Sequence, residues 1–120
     1  MPPADLALLD LPEVFLNRLR SLLAKHVPTA EVLAYGSRVN GSSHEGSDLD
    51  LVLQWQGTDE DYAGWQALIE SLQNSSLPMM VEVHLWSRLP AEFHRQIEHR
   101  HVLLQKPTTK ITANVIKVPN

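Results

Sequence analysis

The stretch AYGSRVNGSSHEGSDLDLVLQW, from Ala34 to Trp55, combines two features that seldom occur together. Asp48 and Asp50 lie inside a run that otherwise has the pattern of a buried strand, and a loop rich in glycine and serine comes just before them. Aspartate is depleted in strands, and like charges on one strand face repel each other. The pair therefore predicts a bound group that offsets its charge, and a divalent cation with oxygen ligands meets that need.

Composition and charge narrow the class of protein. The 120 residues suit one domain, which we place over residues 1–106, with a tail of unassigned role over 107–120. A net charge of −4 argues against a general nucleic-acid binder, and the lack of cysteine excludes a disulfide framework and a thiolate metal site. Because the start is acidic and no apolar run is long enough to cross a membrane, we expect a cytoplasmic protein without membrane contact.

Hydrophobic periodicity predicts an alternation of helices and strands. Helical spacing covers residues 11–26, 59–74 and 90–100, and strand patterns cover 31–36, 47–55 and 79–86, followed by a short apolar segment at 102–104. In the second strand Leu49, Leu51 and Leu53 share one face, and the two aspartates share the other. We therefore predict an α/β (α+β) fold, a small mixed β-sheet with helices packed on one face and carboxylates exposed on the other.

The order of these elements predicts a site for phosphate and metal. Gly36 and Ser37 leave the first strand at a tight turn, where a missing side chain allows a phosphate to come close. If the third strand pairs beside the second, Glu82 lies on the same face as Asp48 and Asp50. Three carboxylates of this kind suit two metal ions that stabilise the attacking and leaving oxygens in phosphoryl transfer.

The run from Gly36 to Gly41 (GSRVNG), followed by Ser47 to Leu51 (SDLDL), resembles the signature of the polymerase-β-like nucleotidyltransferases. The resemblance extends from Val32 to Leu104, and the short chain is similar to the minimal, MNT-type branch of that family. It implies the following site residues: Gly36, Ser37, Arg38 and Ser47 for the nucleotide, and Asp48, Asp50 and Glu82 as the catalytic, metal-binding carboxylates. The family usually has aspartate where Glu82 stands.

The same resemblance implies a function and a partner. It implies transfer of a nucleoside monophosphate from a nucleoside triphosphate, with ATP expected, to a hydroxyl group in the presence of Mg²⁺ or Mn²⁺. The expected acceptor is a tyrosine of a helical HEPN-type toxin, so that the chain acts as an antitoxin; a homo-oligomer stays open. An alternative is a protein-binding module that has lost efficient catalysis and neutralises its partner by occlusion. A nucleotide sensor without transfer has less support.

Each candidate residue also has a structural interpretation. Gly36 and Ser37 could form an ordinary turn, the two aspartates could be solvated, and Glu82 and Arg38 could form ion pairs. A zinc site at the helix end has no matching spacing, so we interpret its histidines as solvated; they are His94, His99 and His101. Trp55 and Trp86 could stack on a base or pack at the rim of the sheet.

Overall fold

The structure, a computed structural model, describes residues 6–108. The helices are α1 (Glu13–His26), α2 (Ser37–Asn40), α3 (Asp59–Gln73) and α4 (Ala91–His99), and the strands are β1 (Glu31–Tyr35), β2 (Leu49–Gln54), β3 (Val81–Leu85) and β4 (Val102–Gln105). Short 3₁₀ turns cover Leu6–Leu8 and Trp86–Arg88. Within this described part of the chain, no helix is both long and apolar enough to cross a membrane. Most of the predicted tail, residues 109–120, lies outside the described residues.

The four strands form one mixed sheet in the order β3-β2-β1-β4. Strand β1 runs antiparallel to both β2 and β4, whereas β2 and β3 are parallel. A parallel pair needs a long crossover, and α3 supplies it between β2 and β3. The predicted fold class, a small mixed sheet with helices, is confirmed.

The main core lies on the sheet face that α1 and α3 cover. It buries the three β2 leucines predicted to share a face together with Leu19 of α1 and Leu68 of α3. Gly64 lets the two helices approach closely, since a Cβ there would lie 2.2 Å from the carbonyl oxygen of His26. These two long helices occupy one face, as expected.

Helix α4 differs, because it packs on the opposite face. Its Ile97 is buried with Leu33, Tyr35 and Val52 in a second, smaller cluster. These residues point away from the main core, so they need their own cover to leave water. Asp50 and Glu82 belong to the same face but stay partly exposed, so the carboxylate part of that face remains open.

Candidate active site

An acidic cluster forms where β2 and β3 lie side by side. In their parallel register Asp50 is the partner of Glu82, which places both carboxylates on one face of the sheet. His84, two residues along β3, shares that face and lies with its Nε2 3.4 Å from Oε1 of Glu82. One ligand atom from each of the three residues lies within 4.8 Å of the others. We call Asp50, Glu82 and His84 the acidic cluster.

Asp48 stands apart from that cluster. It precedes the first residue of β2, and its side chain is exposed. Its charge is near enough to contribute to raising the pKa of Asp50, but its oxygens are not among the grouped ligand atoms. Of the three predicted carboxylates, the structure therefore brings two together and leaves the third beside them.

The electrostatics of the cluster favour a cation. Burial raises the pKa of Asp50 above its ordinary value, and the negative charges of Glu82 and Asp48 raise it further, while His84 opposes the shift. Tyr35 is the strand partner of Asp50 on β1, and burial, with the charges of Asp50 and Glu82, raises its pKa to about 12. Negative charge therefore lacks sufficient compensation here, and carboxylate oxygens are the ligands that Mg²⁺ and Mn²⁺ prefer. The donor set fits such an ion.

The glycine-serine turn lies directly against the cluster. Gly36 has φ 85°, a conformation that side chains other than glycine rarely adopt, and a Cβ on it would lie 2.7 Å from Oδ2 of Asp50. Its carbonyl accepts the amides of Val39 and Asn40 at the start of α2, where Ser37 is half-buried. The turn therefore leaves open the space next to the Asp50 carboxylate that any side chain would fill.

Arg38 and Ser47, predicted to bind the nucleotide, make hydrogen bonds within the protein. Arg38 is only 5% exposed, and its guanidinium donates to the carbonyl oxygens of Ser47, Asp10 and Glu45 at 2.9 to 3.3 Å. The hydroxyl of Ser47 accepts the amide of His44. Both residues hold the loop between α2 and β2, and Arg38 has little donor capacity left for a phosphate; nucleotide binding by either residue stays a prediction.

A different arginine faces the turn. A cavity of about 290 Å³ opens beside Gly36, between α2 and the end of α4, and Arg100 lines it. The Nε of Arg100 donates to the carbonyl of Val39. Sequence reasoning missed this arginine because only the packing of α4 brings it next to a turn more than 60 residues away.

Among residues 6–108, the histidines of α4 and His101 form no metal site, and the two tryptophans pack against other side chains. The ring of His94 stacks on Trp86 with centroids 3.8 Å apart, and His101 bonds the carbonyl of Ile97. Trp55 packs edge-on against Tyr62. The histidine that joins the carboxylates is His84, which lies two residues beyond Glu82 in VEVHL and so on the same face of β3.

Comparisons with known proteins agree on the family. A family model described as the central palm domain of a mitochondrial-like poly(A) RNA polymerase matches residues 9–106. The chain is 31% identical over 100 residues to the Haemophilus influenzae protein named "Probable protein adenylyltransferase MntA", covering 83% of this chain and 87% of that one.

Solved structures share the fold. One, described as a toxin-antitoxin with AMP-PNP, matches with a TM-score of 0.62 at 20% identity, over 85% of this chain and 82% of the other. Another, a tri-AMPylated Shewanella oneidensis HEPN toxin in complex with MNT antitoxin, matches with a TM-score of 0.53 at 16% identity, over 88% and 81%. The resemblance inferred from the sequence motifs is confirmed: the chain belongs to the MntA-like family of nucleotidyltransferases.

Proposed function

We propose that this nucleotidyltransferase moves AMP from ATP to a hydroxyl group of a partner protein, and that it needs a divalent cation to do so. The observation that carries the proposal is the register of β2 and β3, which sets Asp50 beside Glu82 with Gly36 against the Asp50 carboxylate. The name of the Haemophilus influenzae relative supports adenylyl transfer to a protein.

The site residues divide the work between metal and phosphate. Asp50 and Glu82, with Asp48 beside them, would hold Mg²⁺ or Mn²⁺ through their carboxylate oxygens. Such an ion, when bound, neutralises phosphate charge in the transition state of phosphoryl transfer. Gly36 and Ser37 leave room for the triphosphate beside Asp50.

The transfer exchanges a phosphoanhydride bond of ATP for a phosphodiester bond to the acceptor. The acceptor oxygen forms a bond to the α-phosphorus of ATP, the bond from that phosphorus to the bridging oxygen breaks, and pyrophosphate leaves. The acceptor's proton goes to solvent. The chain's own contribution is to orient the triphosphate and the acceptor hydroxyl, which is the larger part of catalysis in such reactions.

Arg100 is better placed than Arg38 for contact with a phosphate. It lines the cavity beside Gly36 and is exposed, so its guanidinium can meet a phosphate oxygen. Arg100→Gln should therefore raise the KM for ATP, while the matched change Arg95→Gln, at an exposed position of α4 that does not line this cavity, should leave it unaltered.

The proposed partner is a HEPN-type toxin, with a tyrosine hydroxyl as the acceptor and the cytoplasm as the place where the two meet. The support is the solved complex of a tri-AMPylated HEPN toxin with an MNT antitoxin, whose fold this chain shares. Transfer to the toxin and simple binding of it would both neutralise the toxin, so the two must be separated by experiment.

A specific observation favours the second candidate, an occluding protein-binding module. Asp48 lies outside the acidic cluster, and Glu82 stands where the family usually has aspartate. If occlusion carries the effect, surface complementarity and not the carboxylates would decide neutralisation.

Mass spectrometry of the native complex tests the proposal. The chain and its native HEPN-type partner are incubated with ATP and either Mg²⁺ or Mn²⁺, and the intact mass of the partner is measured. We expect the partner to gain AMP with the parent chain and with Asp59→Asn, an exposed acidic position on α3, but not with Asp50→Asn. A partner that gains no mass with either metal, yet is still neutralised, would overturn transfer and establish occlusion.

A further inference from the structure

His84 changes the chemistry of the acidic cluster. Without it, Asp50 and Glu82 would offer carboxylate oxygens alone, which suit Mg²⁺. With it, the grouped ligand atoms include an imidazole nitrogen, and all lie within 4.8 Å of one another. The geometry follows directly from the register, since His84 is two residues beyond Glu82 on the same strand and the same face.

Imidazole nitrogen distinguishes among divalent ions. It suits first-row transition metals, whereas Mg²⁺ retains water and oxygen ligands. The position of the ring is compatible with a ligand, because Nε2 of His84 points to within 3.4 Å of Glu82 and the side chain is 36% exposed. The ring is thus close to the carboxylates and still open to an ion from solvent.

A further polar group lies on the neighbouring strand. Tyr35 is the partner of Asp50 in the β1–β2 register, and the charges of Asp50 and Glu82 both act on it. Among residues 6–108 no buried side-chain oxygen or nitrogen lacks a hydrogen-bond partner, so the Tyr35 hydroxyl, at the tip of a largely buried side chain, reaches solvent. A solvent-accessible phenol near two carboxylates can donate to a water or oxygen bound at the cluster.

We propose that Asp50, Glu82 and His84 form a mixed oxygen and nitrogen site that selects a first-row transition ion such as Mn²⁺ over Mg²⁺. The inference rests on the proposed function, since it names the metal preference of the same site. His84 is then a metal-ligating residue that the family motif does not contain. Glu82, being longer than aspartate, shares an ion with the imidazole on its own strand.

Manganese binding without nucleotide tests this directly. Free Mn²⁺ is measured by its EPR signal during titration of the purified chain, Mg²⁺ affinity is measured by displacement of Mn²⁺, and nitrogen coordination is read from ¹⁴N modulation of the electron spin echo. The variants are His84→Gln, His84→Asp and Asp50→Asn. His26→Gln is the matched control, because His26 bonds Ser71 between α1 and α3 and is not part of the cluster.

We expect the parent and His26→Gln to show imidazole modulation. His84→Gln should lose the modulation and weaken Mn²⁺ binding about tenfold or more, with a smaller loss for Mg²⁺. His84→Asp should restore Mg²⁺ binding without the nitrogen signal. Since His84 is a partly exposed strand residue, these variants should fold, and circular dichroism checks that they do.

Three outcomes would overturn the inference. If His84→Gln keeps the nitrogen signal or the Mn²⁺ affinity while Asp50→Asn loses binding, the carboxylates hold the ion without histidine and the proposed metal-dependent transfer stands. If Asp50→Asn also keeps full Mn²⁺ binding, the cluster is not the metal site and the metal dependence of the proposed function falls with it. If His26→Gln removes the signal, the ion binds a surface histidine elsewhere.

Discussion

Asp50 and Asp61 have pKa values shifted in opposite directions, although they lie in one small domain and both are partly buried. Burial raises the pKa of Asp50, and Glu82 and Asp48 add to the shift. Burial also acts on Asp61, but hydrogen bonds from Thr58, Thr29 and Gly57 outweigh it and lower the pKa.

The cause is the set of partners around each carboxylate. At the start of α3, one carboxylate oxygen of Asp61 accepts hydrogen bonds from the amides of Thr58 and Gly57, and the other accepts one from the hydroxyl of Thr29. The hydroxyl oxygen of Thr58 in turn accepts a hydrogen bond from the amide of Asp61, which completes a capping box. These hydrogen bonds stabilise the ionised form of Asp61. Asp50 has the negatively charged Glu82 as its strand partner, and Gly36 next to its carboxylate carries no side chain that could donate a hydrogen bond. Its negative charge is therefore available for a bound ligand. The carboxylate that costs stability is the one available for function.

The largest expected effect is on transfer. Under the proposed function, Asp50→Asn should slow the addition of AMP to the partner by on the order of 10²–10³-fold, because it removes a charged oxygen that would hold the metal next to the transferring phosphate. Asp61→Asn should change the rate by less than about twofold, because that carboxylate holds a helix end. Single-turnover kinetics with excess enzyme measures both. Equal losses of rate in the two variants would contradict the assignment of transfer to Asp50 and of helix capping to Asp61.

A second test concerns the glycine against Asp50. Gly36→Ala should destabilise the chain by roughly 2–4 kcal/mol, since φ 85° with ψ −154° costs a residue with a side chain about 1–3 kcal/mol and the new Cβ meets the Asp50 carboxylate at 2.7 Å. Gly41→Ala is the comparison variant, because Gly41 has φ 86° in the αL conformation and nothing within 4 Å of its Cβ position. Urea unfolding should show the larger loss for Gly36→Ala, where the backbone region that only glycine adopts readily and the contact with Asp50 both contribute; equal losses would mean that Asp50 moves away freely.

A third test concerns a substitution that should raise stability, whereas most substitutions lower it. In buffer free of divalent metal, Asp50→Asn should raise the melting temperature at pH 7. The folded-state pKa of Asp50 lies above its unfolded value, so the ionised side chain lowers stability as pH rises through that window. The gain should shrink to nothing as pH falls below about 4. Added Mn²⁺ should stabilise the parent and not the variant; a variant less stable than the parent at pH 7 without metal would contradict the pKa shift.

Much of this arrangement could be predicted from the sequence because it depends on local order. Strand alternation placed the β2 leucines and Asp50 on opposite faces, and the glycine-serine turn followed β1 as its spacing indicated. The motif also identified the family, which the comparisons confirmed.

The rest depends on contacts between distant segments. An amphipathic pattern shows that α4 has an apolar side but not which sheet face it covers. Arg38 points inward because the carbonyl of Asp10 and the carbonyls of Glu45 and Ser47, from two separate parts of the chain, meet around its guanidinium. His84 became part of the cluster only through the parallel register of β3 with β2. Arg100 needed the packing of α4 next to α2.

The smallest expected effect is a loss of stability when the capping carboxylate of Asp61 is removed. Asp61→Ala should lower the free energy of unfolding by about 1 kcal/mol at pH 7, because it leaves two amides at the start of α3 without their acceptor. Its folded-state pKa is below the unfolded value, so the stabilisation is present above that unfolded value and is lost as pH falls through the folded one. Asp59→Ala, in the same exposed turn but without capping bonds, is the control and should lose less. Chemical denaturation at pH 7 and pH 3 should show the Asp61→Ala difference shrinking with acid, just as the Asp50→Asn difference shrinks, but with the opposite sign. A destabilisation that stays constant between these pH values would show that the capping side chain acts through its shape and not its charge.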